Sequence, residues 1–355
     1  LWKWARSSPR RIVFLLRTSS RHWLAQRRHR RQLRRIDGSV PSILAVSPTM
    51  RCNYNRKGCY SRGRPEGNEL STDELNSLFS DAENLGVHSV VLTGGEPLLR
   101  DDTLHLISGH PGLLFFLITN GSLMTPEIAR RMARTRNLVT LVSIEGFAAD
   151  TDGRRHPGAH DTAMLAIDRL RAARAVYGFV ATYSAANSAQ LATDAFIDRL
   201  VDVGCAVGFF TEYVPCGQGP RPEWVLDETT RTMFRERVLE FRHSKPIVLS
   251  LFPDDEYGRE NRCAGAGRTS LHINSQGGIE PCPFVPVSRD SIRNGGLIAA
   301  CRSPFLRAIL EEPGLLRRDC YACALFEHRS ELDAIAGRFD SDHDVTNRPC
   351  RRSMC

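Results

Sequence analysis

The sequence predicts an α/β fold, a partial (βα)6 barrel of TIM type carrying a small cysteine-rich C-terminal module. Three observations predict it. From residue 41 to 245, short β-branched or aromatic runs alternate with helical stretches six times. The strand-like runs are apolar throughout rather than alternating, the mark of parallel strands covered on both faces. After 246 the rhythm stops and paired cysteines appear.

With 355 residues, 41% of them hydrophobic, the chain can bury a core of domain size. Its 11 cysteines are too sparse for a disulfide scaffold and read as ligands or thiols. No run reaches the ~20 apolar residues of a membrane span. Together these features point to a soluble, cytoplasmic protein.

Residues 1–40 form a basic N-terminal arm. Residues 1–35 hold Lys3 and eleven arginines with no acid, a charge of +12 in a chain whose net charge is +8, so the remainder sums to −4. An excess confined to one arm argues against nucleic acid as the partner. Trp2, Trp4, Phe14, Leu15 and Trp23 interleave with the arginines. The pattern reads either as an amphipathic helix making peripheral contact with an anionic membrane or partner, or as a solvated extension packing a few aromatics on the barrel.

Residues 41–245 form the barrel. Strands are expected at 42–47, 89–94, 113–119, 138–145, 176–184 and 207–214, with helices at 71–86, 101–108, 125–135, 160–174, 194–204 and 227–243. Several helices open on a Ser, Thr or Asp cap, and two run into Gly86 and Gly204. Residues 246–338 form the C-terminal module: a strand-like run at 248–252, a hairpin over 269–284 turning at Ser275–Gly278, and a helix at 303–312. Residues 339–355 read as a loose tail.

In a parallel βα array the residues after the strands share one rim. Onto that rim fall a loop with Cys52 and Cys59, the Thr93–Pro97 segment, Thr119–Gly121, Ser143, Glu145, Asn187 and Glu212. Singly each is an ordinary turn feature; their joint placement is the signal. His156, His160 and His272 read as surface or packing residues, and Cys205 and Cys301 as buried small hydrophobes.

Here the chain resembles the radical S-adenosylmethionine (SAM) family. In that family a C-x3-C-x2-C loop after the first strand, with an aromatic beside the last cysteine, holds a [4Fe-4S] cluster. Cys52, Cys59 and Tyr60 match, as does the GGEP segment at 94–97. The resemblance implies that Cys52 and Cys59 ligate the cluster and that Gly94, Gly95, Glu96 and Pro97 hold the methionine ammonium, with Glu96 structuring the loop. It also places Ser143, Glu145 and Asn187 near the ribose or carboxylate. The middle ligand position departs from the pattern, being Arg56. A guanidinium has no lone pair for iron, and two thiolates anchor a four-iron cluster poorly. Three explanations stand: an altered copy of an active parent, a relative that has lost SAM cleavage, or rescue by another thiol, Cys216 being the first to test.

Cys263, Cys282, Cys320 and Cys323 resemble the ligands of a twitch-type extension, a shortened SPASM domain holding one auxiliary [4Fe-4S] cluster. The same spacing also suits a zinc staple. The resemblance thus implies an enzyme that generates a 5′-deoxyadenosyl radical and modifies a peptide or small molecule, using an electron donor such as flavodoxin or ferredoxin. The alternative is a non-catalytic barrel that retains only the auxiliary site and acts in binding or electron transfer.

Overall fold

Apolar runs become strands here because helices cover them. The computed structural model describes residues 9–258, 261–312 and 314–339. The barrel strands are β1 (Ile43–Thr49), β2 (Ser89–Gly94), β3 (Leu114–Thr119), β4 (Leu138–Ser143), β5 (Tyr177–Tyr183) and β6 (Val207–Glu212). They lie side by side in chain order, all parallel. The crossovers are carried by helices such as α2 (Thr72–Leu85), α3 (Thr103–Gly109) and α4 (Pro126–Arg134). β4 is followed by α5 (Ala148–Arg154) and α6 (Ala159–Ala173), β5 by α7 (Ser188–Leu191) and α8 (Asp194–Asp202), and β6 by α9 (Glu228–Ser244).

Local chemistry sets the boundaries. Ser71 and Glu74 close a reciprocal capping box on α2, and Thr125, Thr193 and Asp227 each accept a backbone N–H at the start of α4, α8 and α9. The short helices α5 and α7 lie outside the sequence expectation. Each spans only two turns or fewer, too short to show a helical period.

The sheet does not stop at residue 245. β7 (Val248–Phe252), expected within the C-terminal module, pairs parallel with β6, from Val207↔Val248 to Thr211↔Phe252. β8 (Ser270–Ile273) pairs parallel with β1 at the other edge. β9 (Gly278–Glu280) and β10 (Asp290–Ser291) follow antiparallel, giving one ten-stranded sheet. An unpaired β6 edge would leave its backbone donors and acceptors without partners, and α9 supplies the crossover that brings the next strand-like run to it. The C-terminal helices α10 (Gly296–Ala300), α11 (Pro304–Glu311), α12 (Ala324–Glu327) and α13 (Arg329–Gly337) add to the same apolar core. The expected tail, apart from Phe339, lies outside the described residues.

The basic arm contains a 25-residue helix, α1 (Pro9–Leu33). Phe14 and Leu15 pack on Ala206, Val176 and Val207, at the starts of β5 and β6, so the helix closes the N-terminal end of the barrel. It continues along α2, where Arg28 Nη1 and Gln32 Nε2 donate to the carbonyls of Glu83 and Asn84 at 3.4 and 3.3 Å. Gly86 ends α2 in the left-handed region (φ 80°), and a Cβ there would stand 2.3 Å from His29 N and 2.5 Å from Ala25 O. One glycine therefore serves both the cap and the close seat of α1.

Under this seat the His88 ring lies 4.4 Å from that of His22 and 5.9 Å from that of His29. Burial, with the charges of His22 and His29, pushes His88 down from 6.5 to about 4. Neutral His88 is the native form, so the seat is complete above pH 6.5 and weakens as pH falls towards 4. Hydrogen exchange across α1, corrected for intrinsic rates, is expected to quicken over that window. His88→Gln should flatten the response, and an exchange profile indifferent to pH would contradict it.

Candidate functional site

The site begins with a backbone crossing. Where β2 ends, Gly95 N donates to Thr49 O and Glu96 N to Arg51 O, both at 2.9 Å. A Cβ on Gly95 would stand 2.1 Å from Arg51 O, so only glycine admits this approach. Gly94 has φ +95°, and its N–H donates to Tyr60 Oη at 3.2 Å. Tyr60 also shares a 2.7 Å hydrogen bond with Thr93 Oγ1.

Glu96 is buried and ties the crossing to β3. Its Oε1 accepts from Thr119 Oγ1 (2.8 Å) and Leu98 N (3.2 Å), and its Oε2 from Asn120 N (2.7 Å). Burial pushes its carboxyl upward while these bonds oppose the shift. Asn120 Nδ2 in turn donates to Asn53 Oδ1 at 2.8 Å, fastening the loop that carries Cys52. Pro97 opens a short 3-10 turn, Pro97–Leu99, beside them.

Cys52, Cys59, Gly94, Gly95, Glu96 and Ser143 line one cavity of about 30 Å³. Arg56, Thr93, Ile118, Ser143 and Arg155 border both it and a larger cavity of about 220 Å³ inside the barrel. Cys52 is exposed and Cys59 buried. Arg56 is half-buried and hydrogen-bonds to Cys59, whose Sγ also lies 3.1 Å from Ser61 Oγ. Burial alone would raise the Cys59 thiol, but the Arg56 charge and these hydrogen bonds bring it down to about 6.

Glu145 is buried among cations. Its Oε1 meets Arg154 Nη1 at 2.7 Å and Arg155 Nη2 at 2.6 Å, and its Oε2 accepts from Thr182 N at 2.9 Å. Burial opposes ionisation, yet Arg154, Arg155 and Arg56 outweigh it and hold Glu145 at about 2. Asn187 does not border either cavity. Its Nδ2 donates to Glu145 O (2.8 Å) and Thr182 O (3.0 Å), and its Oδ1 accepts from Ser184 N and Oγ, so it shapes the backbone beneath Glu145. Glu212 lines the larger cavity and pairs with Arg231 at 2.8 Å.

Arg154 and Arg155, at the end of α5, were not singled out from the sequence. An Arg-Arg pair in a loop-rich stretch looks like a solvated face, and only the fold reveals the buried carboxylate ten residues back.

The distal thiols come together in part. Cys263, Cys282 and Cys323 line a cavity of about 20 Å³, with Cys282 hydrogen-bonded to Cys323. Cys320 is exposed on the adjoining turn and does not border that cavity; its N–H donates to Glu327 Oε1 at 2.7 Å. Among the described residues no group of three or more His, Cys, Asp or Glu side chains stands ready to hold a metal ion. Cys205, Cys216 and Cys301 are buried in the core, and Cys216 borders neither barrel cavity. His272 is fully buried, bonded to Ser47 and Glu280. Cys350 and Cys355 lie outside the described residues.

The residues at the first site do not fit a cluster held by three thiolates. Cysteines occupy two positions, and a cation without a donor lone pair occupies the third.

The family described as the radical SAM superfamily matches residues 46–182. The chain is 27% identical to the AdoMet-dependent heme synthase of Methanosarcina barkeri, over 80% of this chain and 89% of that one. It is 29% identical to the mycofactocin maturase MftC of Mycobacterium tuberculosis, over 77% and 73%. Both relatives are enzymes. Streptococcus suis SuiB bound to precursor peptide SuiA superposes with a TM-score of 0.66 over 85% of this chain and 74% of SuiB, at 15% identity, a likeness of fold.

The crossing predicts a local intolerance. Gly95→Ala should cost about 1–3 kcal/mol in denaturant unfolding, because the added methyl meets backbone rather than a movable side chain. Gly109→Ala, where nothing lies within 4 Å, should leave stability within about 1 kcal/mol of wild type. Equal effects at both positions would contradict the close approach.

Proposed function

We propose, from a chain whose residues 46–182 are a radical SAM domain, that the protein keeps the SAM-binding loop and substrate chamber of a peptide- or small-molecule-modifying enzyme while Arg56 disables its cluster loop. The observation that carries this reading is the Arg56 guanidinium, hydrogen-bonded to Cys59 and acting on Glu145 across the shared wall of the two cavities. It stands where the motif calls for a thiolate.

The chain's own residues define what remains. The backbone of Gly94–Glu96 and the Ser143 side chain would hold the amino-acid and ribose ends of SAM, all of them bordering the smaller cavity. Glu96 and Pro97 position that loop, and Asn187 acts through the backbone at Glu145. The larger cavity, walled by side chains such as Val91, Val180 and Phe209, would take the substrate and keep water from it. MftC is a maturase, and SuiB was solved with a precursor peptide; these relatives favour a peptide as substrate. Flavodoxin or ferredoxin would serve as electron donor only to a chain with the third thiolate restored.

Anaerobic reconstitution with iron and sulfide, followed by dithionite and SAM, tests the reading. Wild type should release no 5′-deoxyadenosine, whereas Arg56→Cys should bind about four more irons per chain and release it. Wild-type release would overturn the proposed disablement. An Arg56→Cys protein that holds the cluster and stays silent would overturn the enzymatic reading.

Cys263, Cys282 and Cys323, with Cys320 swung in from its turn, are the ligands proposed for an auxiliary centre. Protein isolated anaerobically should carry about four irons with labile sulfide, or about one zinc without it. Cys282→Ser should lose that metal, and wild type isolated with neither metal would refute the assignment.

A further inference from the structure

The outward face of α1 is built unlike a solvated helix. The side chains at 14, 18, 21, 25, 29 and 32 turn towards the protein at three- and four-residue spacing. Opposite them, Ile12, Leu16 and Trp23 are 39%, 66% and 53% exposed, with Val13 and Leu24, 44% and 50% exposed, on the flank. Arg27, Arg30 and Arg31 continue that exposed side, and Arg34 follows just past the helix end. The Arg27 guanidinium lies 4.1 Å from the Trp23 ring centroid, where apolar and cationic stretches meet.

We propose that α1 docks the protein on an anionic lipid bilayer, with Ile12, Leu16 and Trp23 entering the headgroup–acyl boundary and the following arginines meeting lipid phosphates and carboxylates. Charge selects the surface, since residues 1–35 carry twelve cations and no acid. The aliphatic side chains select lipid over nucleic acid. Ile, Val and Leu gain by leaving water for an acyl layer, whereas nucleic acid offers stacking and phosphate contacts that these side chains do not use.

The seat of α1 makes the geometry productive. Phe14, Leu15 and Ala25 already hold the helix to the barrel, so no folding cost accompanies docking. At ~37 Å long, the helix can lie flat across the surface. It covers the N-terminal ends of the strands, while Gly94–Glu96 and Cys52 lie past their C-terminal ends. Docking therefore turns the candidate site away from the membrane and leaves it open to a substrate from solution. This inference is independent of whether Arg56 disables the cluster.

Co-sedimentation of the full chain with vesicles tests it. Vesicles containing phosphatidylserine should bind at least about tenfold more tightly than phosphatidylcholine alone, and the difference should shrink as salt rises. The double variant Leu16→Glu/Trp23→Glu, at two exposed positions, should lose about tenfold or more of that binding with an unchanged thermal midpoint. Three results would overturn the proposal: equal binding to both vesicles, a double variant that binds like wild type, or single-stranded RNA displacing the protein from anionic vesicles at equal phosphate concentration. A wild-type dimer that the double variant dissolves, with no vesicle binding, would assign the face to a second copy of the chain instead.

Discussion

Two glycines, Gly94 against the Thr49 carbonyl and Gly95 against that of Arg51, organise the molecule's chemistry. The contact of Gly94–Glu96 with Thr49–Arg51 fixes where the first two strands release their loops. No residue with a Cβ reaches this distance, so the crossing is set by backbone rather than by side-chain preference. Everything nearby is referred to it. Tyr60 binds the Gly94 N–H from one side, Glu96 reaches β3 on the other, and Asn120 returns to Asn53 in the cysteine loop. The result is a chain of hydrogen bonds linking three strand ends, with a small cavity beside it. Its buried members are held in place because a carboxylate or hydroxyl left unpaired there would carry its full desolvation cost.

Into this frame Arg56 brings a third cation beside Arg154 and Arg155. Three guanidiniums act on the Glu145 carboxylate, and one of them, Arg56, also acts on the Cys59 thiolate. Arginine cannot relieve this by giving up its proton, so its neighbours adjust. Cys59 ionises more readily, Glu145 stays charged, and Arg154 is held below its ordinary value by burial, with Arg56 and Arg155 adding to the shift. A guanidinium–thiolate contact between Arg56 and Cys59 thus holds the base of the site together.

How much of this was legible depends on the range of the interaction. Caps at Ser71, Thr125 and Asp227 and the strand pattern are local, and the chain states them directly. The GGEP segment was legible as a motif, whereas its contact with Arg51 O is a non-local fact. VLSLF follows a break in rhythm, and the β6 edge it pairs with lies some forty residues earlier, so its place beside β6 is not a local fact. Asn187 falls on the rim by the strand pattern, but its four hydrogen bonds to neighbouring backbone and Ser184 are visible only once β4 and β5 are paired. The same limit hid Arg154 and Arg155, whose carboxylate partner is buried only because the sheet covers it. The arm was legible as basic and amphipathic, but its seat depends on the absence of a Cβ at Gly86.

The continuity of the sheet changes how the distal cysteines relate to the first site. β8 lies against β1, so the hairpin leading to Cys282 is part of the barrel wall. A buried polar chain reinforces the link: Ser47 Oγ meets His272 Nε2 at 2.7 Å, and His272 Nδ1 meets Glu280 Oε2 at 2.7 Å. Arg64, from the cysteine loop, closes on Glu280 at 2.8 Å. Burial disfavours the Glu280 charge, but Arg64 and His272 outweigh it and hold the carboxyl at about 2. A buried pair of this kind adds little net stability over a well-packed apolar pair, since desolvation offsets most of the attraction. What it does impose is register, because a one-residue slip of β8 against β1 would strand His272 away from Ser47 and leave Glu280 charged without its partners. The loop carrying Cys59 and the hairpin carrying Cys282 are thus held to a common frame. A metal centre closing on the distal thiols would stiffen the wall from which the first site's loop departs.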